Sequence, residues 1–352
     1  MKPILFCDPC HQECHNQFNM VLLEKISLSY PLEILASTNS YHKLAKLNNV
    51  KISKIRLVKT ICRAQAFIHL RDLLNTLMVG LHLTRFKGYT VILGNHNILA
   101  IAFFQFLFPK DTLVIYHAQA DEFRNRTKSY LLSLYASRFI HVFMANSIES
   151  YFRSFFTVQV PKTRVLRHPV YRELMQERSN DSCDLVLCLS SSFNHSTIRK
   201  LVHSNRLHSI LTESHKKLVL RESSITANDF AEHPNILIVS NLLPYENYKK
   251  LLERAFLVIF VPNHTFHNRF SGTIVDAVSA RIGVVTVPSL SAFVFREEFG
   301  KIINIADSEA DIIEILIKSL KYPASYPQLT DKIDSYDAAY AREVNYLISS
   351  MI

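Results

Sequence analysis

The chain has 352 residues, 48% hydrophobic and 20% charged, and a formal net charge of +10. That length is too great for one typical core, so two domains of roughly 150–200 residues are expected, and the composition fits a globular protein with large buried sheets. The charge is uneven: residues 1–170 hold 21 Lys/Arg against 9 Asp/Glu, and the remainder 19 against 21. A basic first half suits an anionic partner, either phosphates or a lipid surface.

Met1-Lys2-Pro3 runs directly into an apolar strand, without the h-region or cleavage site of a secretory signal. Six cysteines in such a chain indicate a reducing compartment and free thiols, and the expected location is cytoplasmic. Residues 7–15 read CDPCHQECH. Cys7, Cys10 and His11 match a haem-attachment spacing, and Cys14 and His15 add zinc-type ligands. Haem attachment would require export, however, and Cys7 falls in the first strand with no second ligand pair nearby. No metal is expected, and the stretch reads as a loop that enters a helix through Phe18, Val21, Leu22 and Ile26.

Strands are then expected at 4–7, 32–37, 90–94, 112–117, 141–146 and 164–170. Between them, Leu70, Leu73, Leu74, Leu77, Met78 and Leu81 follow helical spacing. The apolar run 91–108 is interrupted by Gly94, Asn95, His96, Asn97 and Gln105, so it reads as a buried strand and a buried helix rather than a membrane span. Polar residues 171–182 read as a linker. Strands resume at 184–191, 217–223, 235–241, 256–262, 283–288 and 301–305, with helices such as 245–255 in the gaps.

Unbroken apolar strands alternating with helices specify parallel sheets covered on both faces. The expected architecture is α/β: two Rossmann-like doubly wound domains, 1–170 and 183–330, facing a central cleft, with 331–352 a helix returning to the first. Sites in such sheets lie at the carboxyl ends of strands.

The most informative segment is FLVIFVPNHTFHNRFSGTIVDAVSARIGVVTVPS, residues 256–289. A strand ends near Pro262 and a helix begins at Ser271, Gly272 and Thr273. Free backbone N–H groups and the positive helix end make such a start a phosphate site. Gly272 is one of only six glycines, and a Cβ there would obstruct a diphosphate. Arg269 can add bidentate phosphate contact, and Asp276, a turn further on, can hold ribose hydroxyls.

These residues resemble the donor-binding motif of GT-B-fold glycosyltransferases, especially family 4. That pattern is a Glu, seven residues, a second Glu, an Ala, a small-residue turn and a Val-Val strand. Phe270, Asp276, Ala277 and residues 284–287 follow it, and the likeness extends over roughly 140–320. Asn268 and Asp276 stand where the family carries its two glutamates, and Asn268 leaves the retaining stereochemistry open. Asn194 joins the donor set, with Arg199 and Lys200 as counterparts of the family's donor-side Lys/Arg pair. The resemblance implies transfer of a sugar from a nucleotide diphosphate sugar, as co-substrate and without a cofactor, to a glycan acceptor. A polyprenyl-diphosphate-linked acceptor on the inner membrane face, in O-antigen, capsule or other polysaccharide biosynthesis, would suit the basic first half.

The acceptor's base is sought in Glu13, Asp121, Glu122 and His117, in loops that leave strand ends, with contact to the donor sugar or leaving phosphate as the other role for His117. Lysines between Tyr41 and Lys59 are the expected docking patch. Two other readings share part of this pattern. A nucleotide-sugar 2-epimerase of the same fold would leave the basic first half without a purpose. A non-catalytic membrane- or nucleic-acid-binding protein would leave the Ser-Gly-Thr loop unexplained.

Overall fold

The structure is a computed structural model that describes residues 2–9, 16–37, 41–58, 65–117, 119–156, 161–175, 183–190, 193–224, 233–263, 269–308, 310–322, 326 and 328–351. The chain divides into two compact units, one of Met1–Pro169 with Ala338–Ile352 and one of Val170–Asp337.

The first unit is built on seven parallel strands: β1 (Ile4–Cys7), β2 (Leu32–Ala36), β3 (Val50–Lys54), β4 (Thr90–Leu93), β5 (Leu113–Ile115), β6 (Ile140–Phe143) and β7 (Lys162–Val165). Their order is β3-β2-β1-β4-β5-β6-β7. In β1, Ile4 lies opposite Leu32 on one side and Thr90 on the other. Every residue of β1, β2, β4, β5 and β6 is buried, as a sheet covered on both faces demands. Between the strands run α1 (Asn16–Ser27), α2 (Gln65–Leu83), α3 (Ile98–Phe104), α4 (Arg126–Ser133) and α5 (Asn146–Arg153).

The second unit has six parallel strands, β8 (Leu185–Cys188), β9 (Lys217–Arg221), β10 (Ile236–Val239), β11 (Ala255–Phe260), β12 (Gly283–Thr286) and β13 (Ile303–Ile305). They are ordered β10-β9-β8-β11-β12-β13. The helices are α6 (His195–Val202), α7 (Asn205–Glu213), α8 (Tyr245–Glu253), α9 (Gly272–Ser279), α10 (Leu290–Phe299), α11 (Asp311–Lys321) and α12 (Leu329–Ser349). One core packs α6, α7 and α11 on the sheet through Ile198, Leu201, Leu211, Leu316 and Leu320 against Val186, Leu218 and Ile259.

Each of the twelve strands expected from the sequence overlaps an observed one, although β7 lies at Lys162–Val165 rather than 164–170, and β3 is an addition. It lies in the lysine-rich stretch read as a docking patch. Its pattern is half-buried and exposed rather than apolar, because it is an edge strand paired only with β2. Edge lysines such as Lys51 and Lys54 discourage further pairing. A second difference concerns residues 91–108. They do form a strand and a helix, but Phe103 and Phe106 are exposed rather than buried.

Candidate functional site

In the second unit the chain moves outward from β8 to β9 and β10, then returns to β11 on the other side of β8. Loops after β8 and β11 therefore leave in opposite directions, which opens a crevice at the carboxyl ends of these strands. The loop after β8 is fastened there, since the Asn194 backbone N–H donates to the Val261 carbonyl at 2.9 Å.

Two helices begin at this point. Asn194 caps α6, its side-chain oxygen accepting from the Thr197 N–H at 3.3 Å. Ser271 caps α9 in the same way, its Oγ accepting from the Ile274 N–H at 3.3 Å. Each cap satisfies one N–H and leaves the other first-turn donors and the positive helix end for an anion. Gly272 is the first residue of α9, and a Cβ built there would meet nothing within 4 Å. The protein itself therefore does not require glycine here. Thr273 and Arg269 are half-buried beside it, and the ring of Phe270 stands edge-on to Phe295 at 5.8 Å.

Asp276 sits one turn into α9 and is buried. Its Oδ2 accepts from the Tyr248 hydroxyl at 2.9 Å, while Oδ1 has no hydrogen-bond partner. Burial pushes the carboxyl up to about 7, the Tyr248 hydrogen bond opposes that rise, and the negative Glu173 adds to it. Tyr248 is itself raised well above the tyrosine range, first by burial and then by the Asp276 charge, with Arg221 acting in the opposite sense. Arg221, the last residue of β9, has a buried Nε without a hydrogen-bond partner. One turn before Tyr248 on α8, Tyr245 donates to Glu173 at 3.0 Å. Tyr248 and Glu173 act on Asp276 from two separate elements, and Arg221 acts on Tyr248 from a third. Only Arg221 left a trace in the sequence, as a cation closing an apolar strand.

The first unit repeats the topology, with its switch between β1 and β4. Asp8 follows β1, and its carboxylate accepts from Asn19 Nδ2 of α1 at 3.3 Å. Gly94 follows β4 and packs so close to Phe6 and Asn19 that a Cβ would overlap the Phe6 ring. The Gly94 carbonyl accepts from His117 Nε2 at 2.8 Å. A carbonyl can only accept, so this contact places a proton on Nε2. Phe18 of α1 holds the ring edge-on at 4.5 Å. Gln119 braces the turn: its Oε1 accepts from the His117 N–H at 2.9 Å, and its Nε2 donates to Asn95 Oδ1 at 2.8 Å and the His96 carbonyl at 3.0 Å. Asp121 follows in a 3-10 turn, Gln119–Arg124, and is half-buried. His96 is a different kind of histidine. Burial, aided by His141, pushes it down to about 3, which leaves a neutral ring stacked edge-on to Tyr116 at 4.7 Å.

His117 and Asp121 thus lie on one stretch after β5 in the first unit, and Asn194, Arg269, Ser271, Gly272, Thr273 and Asp276 gather at the switch point of the second. Arg199 and Lys200 lie on the exposed side of α6. Glu13 and Asn268 lie outside the described residues, as do Cys10, His11, Cys14 and His15. Cys7 is buried in β1 with its thiol pushed far up by burial. Among the described residues no group of three His, Cys, Asp or Glu side chains could hold a metal ion.

No family model matches the sequence, and no curated protein matches it. Solved structures do. HepE of Anabaena, in complex with UDP and glucose, superposes with a TM-score of 0.66 at 11% identity, over 99% of each chain. WaaG, a glycosyltransferase involved in lipopolysaccharide biosynthesis, gives 0.59 at 12% identity, over 97% of this chain and 94% of its own. A UDP-forming α,α-trehalose-phosphate synthase from Burkholderia vietnamiensis gives 0.64 at 10%, over 99% and 96%. The chain therefore has the fold of the GT-B glycosyltransferases, along its whole length.

Proposed function

We propose that this protein is a glycosyltransferase of the family 4 type. It moves a sugar from a nucleotide diphosphate sugar to a glycan acceptor carried on a lipid, in surface polysaccharide biosynthesis. The observation that carries this reading is the pair of capped helix starts at the β8–β11 switch point, with an open Gly272 and a buried Asp276 behind it. That arrangement suits a diphosphate on backbone N–H groups, with Arg269 against its charge and the ribose hydroxyls on Asp276. HepE and the E. coli trehalose-6-phosphate structure, bound with UDP-glucose and UDP-2-fluoro glucose respectively, share the fold and support a UDP-sugar as the donor class.

In the transfer, an acceptor oxygen forms a bond to the anomeric carbon as the bond from that carbon to the diphosphate breaks. The acceptor's proton passes to a base, for which His117, Asp121 and Glu13 are the candidates in the first unit. The nucleoside diphosphate leaves with the bonding electrons, and the α9 start with Arg269 offsets its charge without a metal. The protein would work on the inner face of the cell membrane. Among the described residues no helix is long and apolar enough to cross one.

The test is calorimetric titration with UDP-, GDP-, TDP- and CMP-linked sugars, using the parent chain, Arg269→Ala and Gly272→Ala. One donor should bind, and each substitution should weaken it at least about tenfold. Because the Gly272 Cβ would meet only open space, Gly272→Ala should also raise thermal stability slightly, by about 0.5–1 kcal/mol, through helix propensity. A stable Gly272→Ala protein that binds the donor as tightly as the parent would place the diphosphate elsewhere. No binding by any donor would remove the transferase reading.

A further inference from the structure

Helix α2 has its polarity reversed. The residues it buries are Asp72, Asn75 and Thr76, none more than 3% exposed, along with Val79, Gly80 and Leu83. The residues it presents outward are Phe67, Leu70, Leu74 and Leu81, each between 41% and 59% exposed. Those four recur at spacings of three, four and seven, which is one stripe of a helix.

The inner face is fixed by specific bonds. The Asp72 carboxylate pairs with Arg71 and accepts from Asn97 Nδ2 at 3.1 Å. Asn75 closes both backbone groups of Val58, its Oδ1 accepting from the N–H at 2.7 Å and its Nδ2 donating to the carbonyl at 3.2 Å. Rotating the helix to bury its leucines would break the bonds to Asn97 and Val58, so the apolar stripe is held outward. Beside it, α3 and the 3-10 turn Gln105–Leu107 pack against α2 so tightly that a Cβ on Gly80 would meet Leu107. These neighbours add Phe103 and Phe106, at 58% and 67% exposed.

The surround is basic. A shallow cavity at the end of the stripe is lined by Met78, Leu81, His82, Lys54, Arg56 and Arg85. Between residues 41 and 110 the sequence carries eleven Lys/Arg and one acidic residue, the buried Asp72. Apolar side chains that run up to a cluster of cations, Lys54, Arg56 and Arg85, match an anionic bilayer surface: the apolar groups enter the acyl boundary and the cations meet the headgroups. Two copies of this face would bring like charges together, and nucleic acid offers no apolar layer for the stripe.

We propose that the outward face of α2, with Phe103 and Phe106 beside it and Lys54, Arg56 and Arg85 at its end, is the surface by which the protein docks on anionic lipid. α2 lies in the membrane interface and does not span it. The inference rests on the lipid-linked acceptor of the preceding reading for its purpose, whereas the surface itself is tested without nucleotide or acceptor. It also moves the docking patch from the lysines of 41–59 to α2, with only Lys54 and Arg56 retained from that stretch.

The sequence contains no tryptophan, so Leu70→Trp in the full chain is a sole fluorescent reporter. Leu242→Trp, at an exposed position of the second unit, is its control. With vesicles of equimolar phosphatidylglycerol and phosphatidylcholine the protein should co-float, and Leu70→Trp emission should shift to the blue while Leu242→Trp emission stays put. Phosphatidylcholine alone should capture little. Leu70→Ser with Leu74→Ser, and separately Arg56→Glu with Arg85→Glu, should each weaken vesicle binding at least about tenfold, with thermal transitions no lower than the parent's. Absence of flotation would overturn the proposal, as would flotation that neither double variant reduces. So would a parent dimer in sedimentation that Leu70→Ser with Leu74→Ser converts to monomer, since the stripe would then be covered by a second copy. Donor titration of the same samples in solution separates this failure from failure of the transferase reading.

Discussion

Asp276 is a carboxyl group placed where ionisation is costly. Its unfolded value is 3.8 and its folded value about 7, chiefly because burial removes the water that would solvate its charge. Between those values the folded chain keeps a proton that the unfolded chain releases, so stability falls as pH rises from 3.8 through about 7. Asp276→Asn removes this dependence while preserving an oxygen to accept from Tyr248. The variant should gain stability relative to the parent as pH is raised from 5 to 8, by about 2–3 kcal/mol over that range, measured by denaturant unfolding at each pH. An unchanged difference across that range would mean that Asp276 stays ionised throughout. Binding has the opposite slope. The carboxylate accepts from ribose hydroxyls more strongly than the neutral acid or amide does, so parent affinity for the donor should climb through about pH 7 and that of Asp276→Asn should stay flat. Gly94 illustrates a constraint of another kind, in which the protein rather than a ligand occupies the missing side chain's place. Gly94→Ala should cost about 1–3 kcal/mol through overpacking against Phe6 and disturb His117, whose ring is fixed to the Gly94 carbonyl. A drop in melting temperature together with an altered His117 imidazole resonance would show both effects, and a variant as stable as the parent would contradict the close approach.

Strands and helices differ in how much of themselves they disclose. Runs such as Leu185–Cys188 and Gly283–Thr286 are buried on both faces, so every residue must be apolar and the sequence advertises them. Edge strand β3 needs no such purity, and its lysines read as a charged loop. Helix α2 was legible as a helix, because spacing reports periodicity, but not in its orientation. Apolar spacing reveals where a stripe lies and not what covers it, and here Asp72, Asn75 and Thr76 took the inner face. The start of α9 was readable because its signals are contiguous: Ser271 as cap, Gly272 as first residue and Asp276 one turn on. Tyr248 and Glu173 were not, since they reach Asp276 from α8 and a 3-10 turn. Convergence in space leaves no spacing in sequence. The same holds for the bond from His117 to Gly94, which joins residues 23 positions apart.

At the scale of the molecule, the boundary between the two units falls inside α12, after Asp337. The part before it belongs to the second unit. Tyr336 packs on Phe299 with centroids 5.0 Å apart, and Arg172 pairs with Asp334 at 2.8 Å and Asp337 at 3.0 Å. The part after it belongs to the first unit and buries Tyr340, Val344, Leu347 and Ile348. Glu343 accepts there from the Arg167 side chain at 2.7 Å and from its backbone N–H at 3.1 Å. At about 1.5–3 kcal/mol for each large apolar side chain, those four amount to about 6–12 kcal/mol, as much as the whole stability of an ordinary domain. The half-exposed ion pair adds little by comparison. The first unit should therefore be unable to fold without a segment that the chain supplies last, whereas the second is complete at Asp337. A chain ending there should leave residues 170–337 as a protease-resistant fragment and lose residues 1–169 to digestion, while the full chain resists in both. Addition of the 338–352 peptide should restore little, because tethering through α12 supplies it at high effective concentration and the free helix, about three turns long, is scarcely formed alone. Equal protection of both fragments in the truncated chain would show that the first unit's core closes without these four side chains.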